Sequence, residues 1–411
     1  MSSPSSAHLD TALQTRTSRE TILGRVPEIA AKIAEGASQR DLDRVLPFEA
    51  FRLIRQSGLT TLRIPENLGG PGGTVADLVE ALCTLAAADS NVAHALRTHF
   101  NFTEALVLSP GTEKAGTYLP KILSGAIFGG ASAELGTARP GDITATLLRH
   151  GDSYRLNGKK YYATGTAFAD YAGFGAVDEE GNLRSVLLPV TREGIHILDD
   201  WDGMGQRLTA SGGVDLVDVE VFEHEINKQV LDGLVGRHTS TLRQLHLAAC
   251  CAGVVRNVLS DAQEYVRRQA RTTRHSHAEK ATDDHFVQQI TGEIAASAFA
   301  IDALIAESAR ALDRSAEALT SKATNAEELV LESALTTAKT QVVISKLALK
   351  AAENLFEVGG GSTTSRKYNF DRHWRNIRTV LTHNPLLHKA RVIGDYYLNE
   401  TTTHLKEGRV F

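Results

Sequence analysis

The pattern of apolar residues changes twice along the chain, and this change restricts the fold more than any other feature of the sequence. Residues 18–124 carry apolar side chains at helical spacing, and so do residues 232–411. Between them, residues 125–231 form short segments rich in β-branched and aromatic residues, separated by turn sequences such as HGDS, DEEGN and TASGG. This order predicts an α+β, mainly α protein with an N-terminal helical domain, a central antiparallel β-domain and a C-terminal helical bundle.

Local signals predict several boundaries inside these domains. Thr74 followed by Asp77 predicts the capped start of a helix, and Asn157-Gly158 predicts the turn of a β-hairpin. A long helix rich in alanine and leucine is expected to end at the glycine run 359–361. Residues 1–17 are rich in serine and threonine, so we expect a flexible tail there.

Composition and charge argue against several classes of protein. A chain of 411 residues is long enough to bury a cofactor, and its net charge of -5 gives no reason to expect nucleic-acid binding. Cys83 stands alone, while Cys250 and Cys251 are adjacent in an apolar run, so buried free thiols are favoured over disulfides or a metal site. We identify neither an apolar signal segment nor a stretch of about 18 apolar residues, so a cytoplasmic protein without membrane spans is expected.

Five motifs, in order along nearly the whole chain, resemble the acyl-CoA dehydrogenase superfamily. They are IPENLGGPGG, ASAELGTARPGD, LNGKKYYATGTAFAD, GMGQRLTASGGVDLVDVEV and the C-terminal RNIR. The resemblance implies a C-terminal four-helix bundle behind the helical and β-domains, with a flavin held between the β-domain and the bundle. It also implies a homotetramer or dimer, because a neighbouring subunit completes the flavin site in that superfamily.

A closer resemblance is to the two-component flavin-dependent monooxygenases of group D that are built on this fold and oxygenate dibenzothiophene, indoles or amines. It is carried by DDWDGMGQRLTASG, EYVRRQAR, LFEV and FDRHWRNIR, the last followed by His-Asn-Pro. Dehydrogenases of the superfamily often carry a catalytic glutamate in a Glu-Gly-Thr sequence, where this chain has His383, Asn384 and Pro385. A threonine that helps to hold the flavin in dehydrogenases is replaced by Ala133, and both departures favour the monooxygenases.

The resemblance to the monooxygenases implies a set of site residues. A histidine beside the reactive edge of the flavin corresponds to His99, which also faces the substrate, and a second corresponds to His383. Thr164 is expected to contact flavin N5, and Trp201 to lie near the flavin or the substrate entrance. The remaining cofactor-binding positions are Gly130, Ala131, Ser132, Tyr162, Ala163, Arg271, Gly360 and Gly361; no metal ligand is expected.

Each assignment has a structural alternative that the residues leave open. His99 could be an ordinary helical histidine, and His383 could cap the helix that ends before Pro385. Trp201 fits the core equally well, and Arg271 could belong to a solvated helix face. Thr164 could close a strand-end turn.

The activity implied by the resemblance is oxygenation of a small aromatic or heteroaromatic substrate at carbon, nitrogen or sulfur through a C4a-hydroperoxyflavin. The cofactors would be O2 and reduced flavin, either FMNH2 or FADH2. The sequence has no glycine-rich dinucleotide-binding motif, so we expect a separate NAD(P)H:flavin reductase to supply the flavin. The alternatives are a dehydrogenase acting on a CoA thioester and a catalytically silent flavin-binding oligomer.

Overall fold

The computed structural model describes residues 17–139, 141–228 and 233–403. Most of the predicted tail, residues 1–16, lies outside the described residues. The described chain has the predicted α+β, mainly α architecture, with a helical layer, a β-sheet and a helical bundle in that order.

The N-terminal layer begins at Ser18, whose hydroxyl accepts a hydrogen bond from the Thr21 amide and caps the first helix. The capping box predicted from Thr74 and Asp77 is present at the start of α4. That helix is interrupted at Asp89, whose backbone leaves the helical region (φ -157°, ψ 107°) before the helix resumes. The helices of this layer are α1 (Arg19–Ala34), α2 (Ala37–Asp43), α3 (Phe48–Ser57), α4 (Val75–Ala95), α5 (Arg97–Val107) and α6 (Glu113–Leu123).

The central domain is a twisted sheet in which most neighbouring strands are antiparallel. The path of hydrogen-bonded neighbours runs β6-β7-β3-β2-β4-β5-β8. Strand β4 pairs in parallel with β1 along its first half and with β2 near its end. The strands are β1 (Phe128–Ala131), β2 (Thr146–His150), β3 (Ser153–Lys160), β4 (Tyr171–Asp178), β5 (Leu183–Pro189), β6 (Ile195–Ile197), β7 (Val214–Val221) and β8 (Ile226–Lys228).

The hairpin turn predicted at Asn157-Gly158 is wrong. Both residues lie inside β3, where the register with β7 shifts and the Asn157 side chain accepts a hydrogen bond from the Asp218 amide at 2.7 Å. Gly158 has a φ of +154°, and a Cβ there would lie 2.4 Å from the Cβ of Ala145. Asn157-Gly158 therefore forms a β-bulge where two strands approach closely. The tight turn of the hairpin lies at residues 151–152, between β2 and β3.

The C-terminal bundle packs directly against the N-terminal layer through α4 and α7. Gly253 permits this contact, because a Cβ there would lie 2.4 Å from the Cys83 carbonyl oxygen. The three cysteines are free and buried, as predicted. The glycine run follows the end of α9, also as predicted. The helices are α7 (Leu234–Arg268), α8 (His285–Thr320), α9 (Ala326–Glu357), α10 (Asp371–Leu381) and α11 (Leu386–Asn399).

Among the described helices, α8 alone is long and apolar enough to cross a membrane, by length and composition only. The same helix packs lengthwise against α9 and α7 and also touches α4, which makes it a member of the bundle.

Candidate active site

A cavity of about 950 Å³ lies where the helical layer, the sheet and the bundle meet. Its walls come from the end of α4, the start of α5, β1, the segment after β3, the segment before β7, α7 and the turn between α10 and α11. The sequence builds this volume partly with the interruption at Asp89, which redirects the last turn of α4 and with it His94. Three layers are therefore needed to form one site.

Small hydroxyl side chains line the sheet side of the cavity. The Thr164 and Ser211 hydroxyl oxygens are 2.6 Å apart, and Ser211 is 2.7 Å from the Thr209 hydroxyl. The backbone beside Thr164 turns through Gly165 (φ +78°), where a Cβ would lie 2.1 Å from the Ala95 carbonyl oxygen. Only glycine fits there, so the Ala-Thr-Gly sequence fixes the hydroxyls against the end of α4.

Two aromatic side chains form another wall. Tyr162 is 53% exposed towards the cavity and holds a left-handed backbone (φ +58°), which is costly for a residue with a bulky side chain. Trp201 lies edge-on to it with ring centroids 6.1 Å apart, and its indole N–H donates to the Gln206 carbonyl at 2.8 Å. Trp201 therefore lines the cavity and is not enclosed in the core.

Two histidines face each other across the cavity, and their hydrogen bonds indicate their tautomers. The rings of His94 and His383 have centroids 6.5 Å apart. His94 Nδ1 lies 3.2 Å from Gln206 Oε1, while the Gln206 amide nitrogen donates to Ser90. His94 therefore carries its proton on Nδ1, and its buried Nε2 has no partner among the described residues.

His383 has a matching arrangement. Its Nδ1 lies 3.3 Å from Asn384 Oδ1, and its Nε2 accepts a hydrogen bond from Arg97 Nη2 at 2.9 Å. The Arg97 charge, together with burial, lowers the pKa of His383 to about 3. Burial and then Arg97 lower the pKa of His94 well below its usual range. Both rings are therefore neutral near pH 7, and in each of them Nε2 is the nitrogen without a proton.

The cavity is strongly basic. Arg97 and Arg243 line the same region, and burial followed by the charge of Arg243 lowers the pKa of Arg97 to about 10. Lys114 lines the cavity as well, with its ammonium 5.1 Å from the centre of the Phe102 ring. No aspartate or glutamate is among the described residues that line it.

His99 does not line this cavity, which corrects the expectation of a histidine at the flavin edge. It is fully buried under the helical layer, where Nε2 lies 2.8 Å from the Thr60 carbonyl and Nδ1 accepts from the Phe128 amide at 3.3 Å. Burial lowers its pKa to about 4. His99 fastens α5 to β1, and His94, one and a half turns earlier, is the histidine that reaches the cavity.

The other predicted cofactor positions separate into two groups. Gly130, Ser132 and Thr164 line the main cavity, and the Gly130 amide donates to Thr166 at 3.1 Å. Ala131 and Ala163 adjoin them in the chain but bury their side chains in the core of the sheet.

Arg271 lies elsewhere, in a second cavity of about 250 Å³ that is also lined by Gly359 and Ser362. The exposed Gly360 and Gly361 stand between those two residues in the chain. The structure therefore brings the arginine and the glycine run together, but within one chain it does not join them to the main cavity.

The residues of the main cavity fit a flavin with a small molecule beside it. The volume suits a ligand of that size, aromatic walls can lie against a flat ring, and hydroxyls with an unpartnered His94 Nε2 can hydrogen-bond its polar edge. Sequence reasoning missed His94, Arg97, Arg243, Gln206 and Ser211. In the sequence, His94 is marked only by its place at the end of an apolar helix. That place predicts a buried side chain but does not indicate a catalytic role.

Comparison with known proteins agrees with this fold. Residues 19–126 match the profile of the acyl-CoA dehydrogenase N-terminal domain, and residues 245–386 match that of the acyl-CoA dehydrogenase C-terminal domain. The chain is 31% identical over 381 residues to the probable FMNH2-dependent monooxygenase SfnC of Pseudomonas putida, covering 91% of this chain and 93% of that protein.

Two solved structures are similar over nearly their whole length. The FMN-bound structure of TdsC from Paenibacillus sp. A11-2 superposes with a TM-score of 0.84 at 28% identity, covering 92% of this chain and 98% of that one. TdsC is a dibenzothiophene monooxygenase that has also been solved with FMN and indole. Methanesulfinate monooxygenase MsuC from Pseudomonas fluorescens superposes with a TM-score of 0.83 at 27% identity, covering 92% and 97%.

Proposed function

The chain belongs to the acyl-CoA dehydrogenase family and is a reduced-flavin-dependent monooxygenase, and we propose that it oxygenates a small organic molecule held between His94, His383 and Trp201. Its cofactor is a reduced flavin and its second substrate is O2; the FMNH2-dependent relative and the FMN-bound structure of TdsC support FMN as that flavin. The facing pair of neutral histidines in a three-sided cavity is the observation that carries the proposal. When bound, the reduced flavin supplies the electrons and activates O2.

The roles of the protein residues follow from their hydrogen bonds. Thr164 and Ser211 offer hydroxyls to the polar edge of the flavin, while Trp201 packs beside the substrate. His94 Nε2 can accept a proton or a hydrogen bond, because it has no partner among the described residues. His383 has the same capacity once Arg97 turns towards a ligand.

The cavity argues against the dehydrogenase alternative. Removal of the α-proton of a thioester in that superfamily requires a carboxylate beside the flavin. The described cavity lining contains no carboxylate, and the position that resembles the dehydrogenase base is His383.

We infer that a separate NAD(P)H:flavin reductase is the redox partner. The FMNH2-dependent relative named above supports this, because its name describes use of flavin that is already reduced. The described sheet also lacks the strand-helix-strand unit that binds a nicotinamide dinucleotide.

We also propose a homo-oligomer, either a dimer or a tetramer. The second cavity with Arg271 would receive the phosphate of a flavin bound mainly to another copy, since guanidinium and glycine backbone suit a phosphate. Helix α8 exposes two large apolar side chains, Phe286 at 79% and Phe299 at 77%, which a second copy would cover. Light scattering of the purified protein tests this, and a monomer at micromolar concentration contradicts it.

The names of the relatives leave two kinds of substrate to consider. Dibenzothiophene and indole are neutral aromatic molecules, the class that the sequence analysis predicted, whereas methanesulfinate is a small anion. Trp201 and Tyr162 favour a flat molecule, and the arginines favour an anion.

The activity is tested by supplying reduced FMN from a generic reductase under ¹⁸O2 with a panel of indoles, thiophenes and sulfinates. Mass spectrometry should detect one ¹⁸O atom in a product. Bleaching of the FMN by an acyl-CoA without O2 would instead establish a dehydrogenase. Neither signal, with FMN bound, would establish a silent flavin-binding protein.

A further inference from the structure

We infer that the substrate of this site is a small organic oxyanion, held by Arg97 and Arg243 beside the histidine pair. The inference rests on the proposed function and names the substrate class for that same cavity. Three observations carry it: two unpaired arginines, a cavity lining without carboxylates, and the position of the arginines next to His383.

The arginines have no carboxylate partner. Neither Arg97 nor Arg243 forms an ion pair within the described part of the chain. The buried Nε atom of each arginine also lacks a hydrogen-bond partner there. A guanidinium with unused donors in a partly buried site is costly unless a ligand satisfies it, and its planar donors match the oxygens of carboxylate, sulfinate or sulfonate groups.

Other arginines of this chain form ion pairs, unlike Arg97 and Arg243. Arg63, Arg192 and Arg256 each meet a carboxylate at 2.6 to 2.8 Å. The fold therefore supplies a counter-charge to each of these three arginines. Arg97 and Arg243, in contrast, lie beside a cavity that is large enough to receive a ligand.

The position of the charge limits where the substrate is oxidised. Arg97 Nη2 is 2.9 Å from His383 Nε2, so an anionic group on Arg97 lies beside the histidine pair and not at a distant end of the cavity. The atom that receives oxygen is then part of the anionic group or directly adjacent to it. A sulfinate meets this condition, because its sulfur carries a lone pair within the charged group itself.

The overall reaction balances for a sulfinate. R–SO2⁻, O2 and FMNH2 give R–SO3⁻, H2O and FMN. One oxygen atom forms a new bond to sulfur, and the other leaves as water with the two hydrogens of the reduced flavin. Sulfur and flavin each lose two electrons, and O2 takes up four.

The charge preference is tested by calorimetry on the FMN-loaded protein. Methanesulfonate serves as an unreactive anion and dimethyl sulfone as a neutral molecule of nearly the same shape, with indole as a neutral aromatic. We expect methanesulfonate to bind at least about tenfold more tightly than dimethyl sulfone, since hydrogen bonds to charged groups are the stronger kind. Equal affinities, or tighter binding of indole, overturn the inference.

The residue assignment is tested with Arg243→Gln. We expect methanesulfonate to bind about 10- to 100-fold more weakly, with part of the affinity restored in Arg243→Lys. Arg52→Gln is the matched control, because Arg52 is exposed on α3 and pairs with Glu49 far along the chain from the cavity residues. Unchanged affinity in Arg243→Gln overturns the assignment.

FMN itself carries a phosphate, so the experiment must show whether the arginines bind that phosphate or the anionic group of the substrate. Affinities of each variant for FMN and for riboflavin, which lacks the phosphate, make this distinction. If Arg243→Gln weakens FMN but not riboflavin, the arginines hold the cofactor and the inference fails. We expect the ratio of the two affinities to stay at the wild-type value.

Failure of this inference is distinguishable from failure of the proposed function. If ¹⁸O enters indole while methanesulfinate is neither bound nor oxidised, the enzyme is a monooxygenase of neutral aromatics. If no substrate takes up ¹⁸O, the proposed function fails, and the calorimetric comparison still decides the charge preference. Methanesulfinate converted to singly labelled methanesulfonate supports both.

Discussion

Helices α5 and α7 carry two buried clusters of charge that differ in one respect. Near one end, Glu104 of α5 accepts two hydrogen bonds from Arg63 at 2.8 Å and lies 3.2 Å from His238 Nε2 of α7. At the start of α5, Arg97 and its neighbour Arg243 of α7 have no carboxylate among the described residues that line their cavity. The charges of Arg63 and Glu104 in the first cluster neutralise each other. We interpret the two arginines of the second cluster as a binding site for an anionic ligand.

The paired charges of Glu104 and Arg63 stabilise the fold, whereas Arg97 and Arg243 are available to bind a ligand. Arg97 and Glu104 are seven residues apart, roughly two helical turns or about 10 Å. Removing one partner of a compensated buried pair should cost stability, because the other charge is left unsatisfied. Removing a charge that has no partner should cost binding instead. Substitutions in the two clusters should therefore have separable effects on stability and on binding.

Glu104→Gln should produce the largest loss of stability. The amide keeps the shape but leaves the buried Arg63 without its counter-charge, so we expect the free energy of unfolding to fall by about 3–5 kcal/mol. Urea denaturation followed by circular dichroism measures this. Glu49→Gln at the exposed pair with Arg52 is the control, and an equal effect in both variants would remove the distinction between the clusters.

His383→Ala should change catalysis and leave FMN binding intact. Loss of the ring that faces His94 should reduce the product formed per FMNH2 oxidised by about 100-fold, with hydrogen peroxide released instead. Product and peroxide are measured in the same reaction. His99→Gln provides the contrast, because its effect should be on melting temperature. Unchanged coupling in His383→Ala would contradict the role given to this histidine.

The stability of the compensated cluster should depend on acid pH. Burial opposes the ionisation of Glu104, but Arg63 and His238 more than offset it and lower the pKa to about 2. Because the folded pKa lies below the unfolded value near 4.5, this contribution is complete above about pH 4.5 and is lost as the pH falls towards 2. Unfolding free energies of the wild type and Glu104→Gln should therefore converge across this interval.

Arg243→Gln should have the smallest effect on stability. No described carboxylate loses its partner, so the melting temperature without substrate should stay at the wild-type value or rise by up to about 2 °C. Differential scanning calorimetry measures it. A fall comparable to that of Glu104→Gln would show that Arg243 is part of the structural core.

The outcomes along the chain show which features the sequence could predict. The order of helices and strands, the capping box at Thr74 and the place of Thr164 and Trp201 in the cavity all depend on local pattern or a contiguous motif. The predictions for His99 and Asn157-Gly158 differ from the structure because local sequence does not distinguish the alternatives. A histidine can line a cavity or hold two segments together, and Asn-Gly can form a turn or a bulge. His99 meets backbone groups that come from distant segments, and Gly158 meets Ala145 across a strand.

Periodicity and motif order act over short distances and specify each element, so the architecture could be predicted from the sequence. The pairing of charges depends on contacts between distant segments, which exist only in the folded chain. Glu104 meets Arg63, 41 residues away, whereas Arg97 meets a histidine 286 residues away and no carboxylate in the described cavity lining. The difference arises from what the other layers bring opposite each side chain.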